Sequence, residues 1–313
     1  MKAVNALIGA CALALGAFSV GASAECEGLD TEALGWLEKM VDSRRQVSYH
    51  GVMTLQRGAD MQVVQVSHRI DGEQAEIVMT QLTGQGAQVY QDRPLHCEHP
   101  GYDLKHIGES VRAGDCGIAS QYRFSVSNGD RVAGRRSVQI RVEPRDRYRY
   151  GYVMSLDRKT GLLLKTETLG HDQRALEKIQ FANLQITSEI PRHSSEVELR
   201  LEAPDPQPDQ SGDPTEGVTP WQVRWLPPGF TLTDAATETQ ARRTYTDGFA
   251  AFSVFIEDLD HPIEPGEGLV RKGGTTSYIR GMEVDARPML VTVLGEVHVN
   301  TARMVADSVS WTR

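Results

Sequence analysis

Apolar positions near the start of the chain recur at helical intervals. After Asp30, the residues Leu34, Leu37, Met40 and Val41 fall on one face of a helix, and two arginines occupy its last turn, where positive charge suits the helix dipole. Asp30 belongs to the residue types that cap helix starts. The sequence therefore predicts one amphipathic helix of about three to four turns.

From Tyr49 onward, apolar and polar residues alternate, which is typical of strands. Turn residues such as Asp71-Gly72 separate the alternating segments, so the strands are expected to form an antiparallel meander. The predicted strands are 49–56, 61–70, 75–82, 87–92, 131–142, 147–156, 162–169 and 177–186. A sheet of this length must cover one face, and by curling over the helix it would enclose an elongated apolar space.

A change of composition near Ala203 predicts a boundary between two domains. Between residues 202 and 220 the chain carries five prolines, five acidic residues and no lysine or arginine, which is typical of an extended linker. We predict a first domain at 25–203, a linker at 204–218 and a second domain at 219–313. Strands of the second domain are expected at 242–245, 250–257, 275–279, 282–285 and 289–294, with a helix at 300–309. The predicted fold class is α+β.

The first 24 residues have the order of a secretory signal peptide. Lys2 precedes an apolar stretch at 3–20, and Ala22-Ser23-Ala24 is a cleavage signal, so the chain is expected to be exported and to begin at Glu25 once mature. No later segment approaches the roughly 18 apolar residues needed to span a bilayer. The formal net charge of −9 argues against nucleic acid as a partner.

Three cysteines remain after cleavage at Glu25. In an oxidising compartment Cys97 and Cys116 are the natural disulfide pair, closing a loop of about 20 residues that contributes roughly 3 kcal/mol. Cys26 is then either a free thiol or a link to a second copy in a homodimer. Cys97 and Cys116 could alternatively hold a metal ion together with the histidines His96, His99 and His106. We favour the disulfide and expect no metal, because a zinc thiolate competes poorly with disulfide formation in an oxidising space.

Arginines and tyrosines alternate in one segment that the pattern places on a strand. Alternation would put Arg145, Arg147 and Arg149 on one face and Tyr148, Tyr150 and Tyr152 on the other. The arginines could hold the phosphate or carboxylate of a lipid headgroup, and the tyrosines could line a cavity for acyl chains. The alternatives are a solvated outer face for the arginines and core packing for the tyrosines.

A second aromatic group, Trp221, Trp225 and Phe230, surrounds a Pro-Pro-Gly turn. These residues could form a partner-binding surface, or they could pack in the core of a small domain. The chain contains no nucleophile elbow, P-loop, dinucleotide fingerprint or H-E-x-x-H motif. We therefore expect a binding protein without catalytic residues or cofactor.

Several segments resemble the RseB/MucB proteins, which are periplasmic regulators of the sigma-E (AlgU) response. The resemblance covers the mature chain in order, with the segments W-L-E-K-M at 36–40, Y-H-G-V-M at 49–53, R-Y-R-Y-G-Y at 147–152, W-L-P-P-G-F at 225–230 and V-L-G-E-V at 293–297. His298 stands where proline is usual in the family, a departure expected to affect a local turn.

This resemblance implies an N-terminal domain like the carriers LolA and LolB, which is an incomplete antiparallel β-barrel over helices. It also implies that the chain binds the periplasmic part of a membrane anti-sigma factor such as RseA or MucA, chiefly through its C-terminal domain. The bound chain would shield that factor from regulated proteolysis until lipopolysaccharide or another lipid releases it. A periplasmic lipid or lipoprotein carrier is the alternative from another class, and an envelope hydrolase is a third.

Overall fold

The computed structural model describes residues 30–72, 74–83, 89–92, 117–187, 221–233, 242–259, 266–284 and 287–311. The predicted signal peptide, all of the cysteines and the acidic linker lie outside the described residues. So do the histidines of the alternative metal site. Among the described residues, no helix is both long enough and apolar enough to cross a membrane.

Helix α1 (Thr31–Gln46) confirms the predicted amphipathic helix. The Oδ1 atom of Asp30 accepts hydrogen bonds from the backbone N–H groups of Glu32 (2.9 Å) and Ala33 (3.3 Å), which satisfies two of the free donors at the helix start. Leu34, Leu37 and the other apolar positions of its stripe are buried. This face packs against the sheet that follows.

One antiparallel sheet of nine strands follows α1, in the order β4-β3-β2-β1-β9-β8-β7-β6-β5. Its strands are β1 (Tyr49–Arg57), β2 (Asp60–Asp71), β3 (Gln74–Gln81), β4 (Val89–Asp92), β5 (Tyr122–Val132), β6 (Arg135–Pro144), β7 (Gly151–Asp157), β8 (Leu163–Leu169) and β9 (Ala175–Ile186). A single 3-10 turn (Gly117–Ser120) precedes β5. The predicted antiparallel sheet is confirmed, and it does not close into a barrel. We call α1 and this sheet the N-terminal unit.

Two predicted strands of this unit have wrong boundaries. The segment predicted as one strand at 131–142 contains a tight turn, because Ala133 (φ 48°) and Gly134 (φ 75°) both adopt left-handed backbone angles between β5 and β6. The strand predicted at 147–156 begins only at Gly151, so residues 145–150 form a bent connection instead. The strict alternation of arginine and tyrosine expected there therefore does not hold.

The C-terminal unit comprises the described residues from Trp221 onward. It contains β10 (Trp221–Val223), β11 (Thr231–Leu232), β12 (Arg242–Thr246), β13 (Ala251–Asp258), β14 (Glu267–Lys272), β15 (Thr275–Val284), β16 (Arg287–Gly295), helix α2 (Val299–Asp307) and β17 (Val309–Trp311). Six strands form a sheet in the order β11-β12-β13-β16-β15-β14, and β10 pairs with β17. The predicted α+β character and final helix are confirmed. The strands predicted at 275–279 and 282–285 are one strand, β15.

Each unit buries its own apolar cluster. In the N-terminal unit α1 shares a core with residues from β5, β6 and β7, including Tyr122, Ile140 and Leu156. In the C-terminal unit, α2 and β10 pack on the six-stranded sheet around Phe252, Val291 and Val293. The side chains that join these clusters define the candidate site.

Replacing Leu37 by alanine should test how far the sheet depends on α1. Leu37 is 0% exposed, so Leu37→Ala should lower the free energy of unfolding by about 2–4 kcal/mol through lost burial and a residual cavity. Leu82→Ala is the matched control, because Leu82 is 51% exposed and its truncation should change stability by less than about 0.5 kcal/mol. Urea unfolding measures both, and equal effects would contradict the packing described here.

Candidate functional site at the junction of the two units

The connection between β6 and β7 carries the segment that faces the C-terminal unit. Asp146 shapes this connection, because its Oδ1 atom accepts hydrogen bonds from the backbone N–H of Tyr148 (2.9 Å) and from Nε of Arg149 (3.2 Å). An aspartate that bonds to the backbone two residues later is a turn-forming arrangement. The turn rotates Arg149 away from the direction that a regular strand would give it.

Arg149 is buried, with a guanidinium that is 0% exposed. Nη1 donates to Oδ2 of Asp247 at 2.7 Å, Nη2 lies 3.1 Å from Oδ2 of Asp146, and Nη2 also donates to the carbonyl of Pro228. The ring centroids of Tyr122 and Phe230 lie 5.4 and 5.2 Å from the guanidinium carbon. Partners from both units therefore compensate one buried cation.

Asp247 supplies the matching anion from the turn between β12 and β13. Its Oδ1 atom accepts from the N–H groups of Phe249 (3.0 Å) and Ala250 (2.8 Å), while its Oδ2 atom also accepts from the Tyr122 hydroxyl at 2.8 Å. Gly248 permits this turn because it adopts a φ of 93°. Burial, reinforced by the nearby Asp247 charge, raises the pKa of Tyr122 well above its ordinary value, so the phenol remains a donor.

Phe249, at the tip of that turn, reaches into the core of the N-terminal unit. Its ring centroid lies 5.1 Å from that of Tyr122, 6.0 Å from that of Phe124 and 5.7 Å from that of Tyr152. The hydroxyl of Tyr152 is buried there, and no hydrogen-bond partner for it lies among the described residues. One aromatic side chain of the C-terminal unit thus completes the apolar core of the other unit.

Backbone carbonyls of the 145–150 connection form a second row of contacts, with residues near the start of α2. The Thr301 hydroxyl donates to the carbonyl of Tyr148 at 2.8 Å, and Nε2 of His298 lies 3.2 Å from the carbonyl of Arg149. In the reverse direction, the Tyr150 hydroxyl donates to the carbonyl of Val297 at 3.2 Å. These bonds fix the orientation of α2 relative to the N-terminal unit.

Two histidines stack across the junction. The rings of His171 and His298 are 3.8 Å apart and 6° from parallel, and Nε2 of His171 lies 3.0 Å from the carbonyl of Arg147. Because a carbonyl can only accept, Nε2 carries the proton in both rings. Burial, followed by the influence of His171, lowers the pKa of His298 from 6.5 to about 4, so His298 is neutral at pH 7.

The six residues predicted to contact lipid do not share one environment. Tyr150 and Tyr152 are buried in the N-terminal core, and Tyr148 packs against the ring of Trp225 at 5.2 Å. The three arginines form no row, because the connection bends at Asp146. Arg145 donates to the carbonyl of Ala119, Arg147 is exposed, and Arg149 is buried in the ion pair.

The three aromatic residues predicted to contact a partner lie in or beside the C-terminal core. Trp221 and Phe230 are buried, which agrees with the core-packing alternative, and Arg243 lies over the Trp221 ring at 4.4 Å. Trp225 faces Tyr148 of the other unit. Two members of this group therefore meet the predicted lipid-binding segment, since Trp225 packs on Tyr148 and Phe230 lies beside Arg149.

Sequence reasoning did not assign a role to Asp247, Phe249, His171 or His298. Asp-Gly pairs such as that at 247–248 are typical of turns and do not by themselves indicate an ion pair, and His298 stood out only as a departure from a family pattern. Arg149 and Asp247 are 98 positions apart in the chain. No local periodicity could pair them.

Comparison with known proteins identifies the family. A model described as the MucB/RseB N-terminal domain matches residues 32–199, and one described as the MucB/RseB C-terminal domain matches residues 215–310. The chain belongs to the MucB/RseB family. It is 33% identical over 292 residues to the sigma factor AlgU regulatory protein MucB of Pseudomonas aeruginosa, covering 89% of this chain and 90% of that protein.

A second family member is the sigma-E factor regulatory protein RseB of Haemophilus influenzae. It is 27% identical over 209 residues, covering 64% of this chain and 63% of its own length. Both MucB/RseB relatives carry the name of regulatory proteins.

Solved structures of MucB share the fold. MucB in complex with MucA(peri) aligns with a TM-score of 0.67 at 29% identity, and the Pseudomonas aeruginosa MucA/MucB complex aligns with 0.68 at 28%. MucB alone aligns with 0.59 at 29%. Each comparison covers 90% of this chain and 99% of the MucB/RseB family member.

Breaking the Arg149–Asp247 pair from either side should destabilise the protein strongly. Arg149→Met leaves a buried carboxylate without its cation, and Asp247→Asn leaves a buried guanidinium that retains only Asp146 as counter-charge. Each variant should therefore lower the free energy of unfolding by about 3 kcal/mol or more. The double variant should cost less than the sum, by roughly 1–3 kcal/mol, because neither charge is then left alone. Urea unfolding of the four proteins measures this coupling.

The exposed pair Arg280–Asp307 is the control for this cycle. Asp307 is 45% exposed in its side chain, and Asp307→Asn should change the free energy of unfolding by less than about 1 kcal/mol. Strictly additive costs in the Arg149/Asp247 cycle would show that the two residues do not depend on each other.

Stability should fall as the pH drops from 6.5 towards 4, partly because of His298. Its pKa is lower in the folded state than in the unfolded state, so the unfolded chain binds more protons across this window and acid favours unfolding. For this half-buried ring, we expect a contribution of about 1–2 kcal/mol after allowing for solvent screening. Urea unfolding at pH 7 and pH 4.5 should show a smaller loss in His298→Asn. An unchanged loss would rule out this contribution.

Proposed function

We propose that this chain is a periplasmic negative regulator of a sigma-E-type envelope-stress pathway. It would bind the periplasmic part of a membrane anti-sigma factor of the RseA/MucA type and protect it from regulated proteolysis. Lipopolysaccharide or another lipid would end this protection. The proposal includes the two-domain division with a linker at 204–218, and it assigns no catalytic role to the chain.

One observation carries the proposal. A relative that shares 33% identity over 90% of its length is named a sigma factor regulatory protein, and two MucB structures of the same fold are complexes with MucA. The chain also resembles one state of MucB more closely than the other. This chain aligns better with MucB in the two complexes (0.67 and 0.68) than with MucB alone (0.59). We propose that the chain binds its partner while the two units are docked through the Arg149–Asp247 pair.

A lipid can release the partner only if it favours a different conformation of the chain. Phe249 offers a physical basis for such a difference, because it occupies the N-terminal core beside Tyr122 and Tyr152. An acyl chain that entered this core near Tyr152 would have to displace Phe249. Displacement would pull on the turn that holds Asp247 and thereby separate the Arg149 pair, so lipid binding and junction closure would exclude each other.

The test measures protection and release in one assay. The mature chain is mixed with the periplasmic segment of the cognate anti-sigma factor, and cleavage by the site-1 protease is followed with and without lipopolysaccharide. We expect protection by the chain alone and loss of protection as lipopolysaccharide is added. Phe249→Leu should lower the lipopolysaccharide concentration for half-release several-fold, because a smaller side chain is displaced more easily. Leu294→Ala, at a site 41% exposed in the C-terminal unit, is the control and should release like the unchanged chain.

Each alternative outcome has a distinct meaning. Absence of both binding and protection, with lipid still bound, would overturn the regulatory proposal and favour a lipid or lipoprotein carrier. Protection that lipid does not remove would retain the regulator and refute the release step. Deleting residues 219–313 is a poor test of the carrier, because it removes Phe249 from the N-terminal core and leaves Arg149 without Asp247.

A further inference from the structure

A cavity of about 840 Å³ opens at the junction, on the side of α2. Its lining contains five basic side chains from both units and no carboxylate. Arg147 and His171 belong to the N-terminal unit, whereas Arg271, His298 and Arg303 belong to the C-terminal unit. A surface of this composition attracts anions, even though the whole chain carries a net charge of −9.

Two of the three arginines have no counter-charge among the described residues. Arg147 and Arg271 are exposed, and neither side chain has a hydrogen bond or ion pair within the described part of the chain. Arg303 differs, since its Nη2 atom lies 2.8 and 2.6 Å from the two carboxylate oxygens of Glu267. Asp146 lies in the same connection as Arg147, but its carboxylate is already paired with Arg149. The cavity therefore presents at least two free guanidinium groups, one from each unit.

The first turn of α2 adds further donors to the same cavity. Val299, Asn300 and Thr301 line it, and the N–H groups of a first helical turn have no acceptor within the helix. The capping residue His298 makes no side-chain bond to them. The positive end of the helix dipole thus adds to the arginines instead of being neutralised by a capping carboxylate.

We propose that this cavity binds a phosphate group, either free or as part of a lipid headgroup, and that the bound phosphate bridges the two units. Guanidinium groups bind phosphate through paired N–H donors, and the free ones come from opposite sides of the junction. A bridging dianion would remove the repulsion between Arg147 and Arg271 and so hold the units together. This inference does not require the anti-sigma factor, so it can fail or succeed independently of the proposed function.

The test uses the mature full chain and inorganic phosphate as the probe. Phosphate replaces chloride at constant ionic strength and pH, and binding is followed by calorimetry and by the rise in thermal unfolding temperature that a ligand of the native state causes. Arg147→Gln and Arg271→Gln should each weaken phosphate binding about tenfold or more. Arg136→Gln, which removes an exposed arginine of β6 outside the cavity, is the matched control and should bind like the unchanged chain.

The outcomes separate the parts of the proposal. Phosphate that stabilises no more than chloride, or equally stabilises both variants, would overturn the site. If Arg271→Gln loses phosphate binding while Arg147→Gln keeps it, the bridge is overturned, because the site then belongs to the C-terminal unit alone. A second titration with dihexanoyl phosphatidic acid distinguishes the sources. Tighter binding than inorganic phosphate, with mutual competition, supports a headgroup, and equal binding supports free phosphate.

Discussion

A buried guanidinium imposes the strictest condition on this structure. A guanidinium group carries five N–H donors and no acceptor, so every N–H of Arg149 that leaves water must find an acceptor within the protein. The acceptors are Asp146 in its own unit and Asp247 and the Pro228 carbonyl in the other. The two units can satisfy this condition only when they are docked. Partial opening would leave the buried Asp247 carboxylate without its cation and the guanidinium with Asp146 alone, and the junction should therefore be either closed or fully open.

This condition explains why apolar and polar contacts at the junction depend on one another. The carboxylate of Asp247 both pairs with Arg149 and holds the turn whose tip is Phe249. A ligand that moved the ring would move the carboxylate, and loss of the ion pair would release the ring. Coupling of this kind needs no long chain of intermediates, because one four-residue turn connects the ionic contact to the apolar one.

Local patterns predicted much of the fold but little of the site. Helix α1 and the antiparallel order follow from spacing and turn residues, which are properties of short segments. The alternation typical of strands continues across Ala133 and Gly134, so the sequence predicted a single strand there. The left-handed backbone angles of these two residues divide it into β5 and β6. At 145–150 the alternation was also present, but the bond from Asp146 to the backbone of Tyr148 overrode it. Arg149 thus reached Asp247, a contact that only the tertiary structure reveals.

An apolar ligand and a phosphate are expected to have opposite effects on closure of the junction. If both proposals hold, an apolar ligand in the N-terminal core would compete with Phe249 and favour opening, whereas a phosphate held between Arg147 and Arg271 would favour closing. A molecule that carried both groups would bind with opposed effects, and the stronger contribution would decide the state of the chain. Closure would then report the balance between acyl and phosphate contacts, so two lipids with the same headgroup and different acyl chains need not act alike.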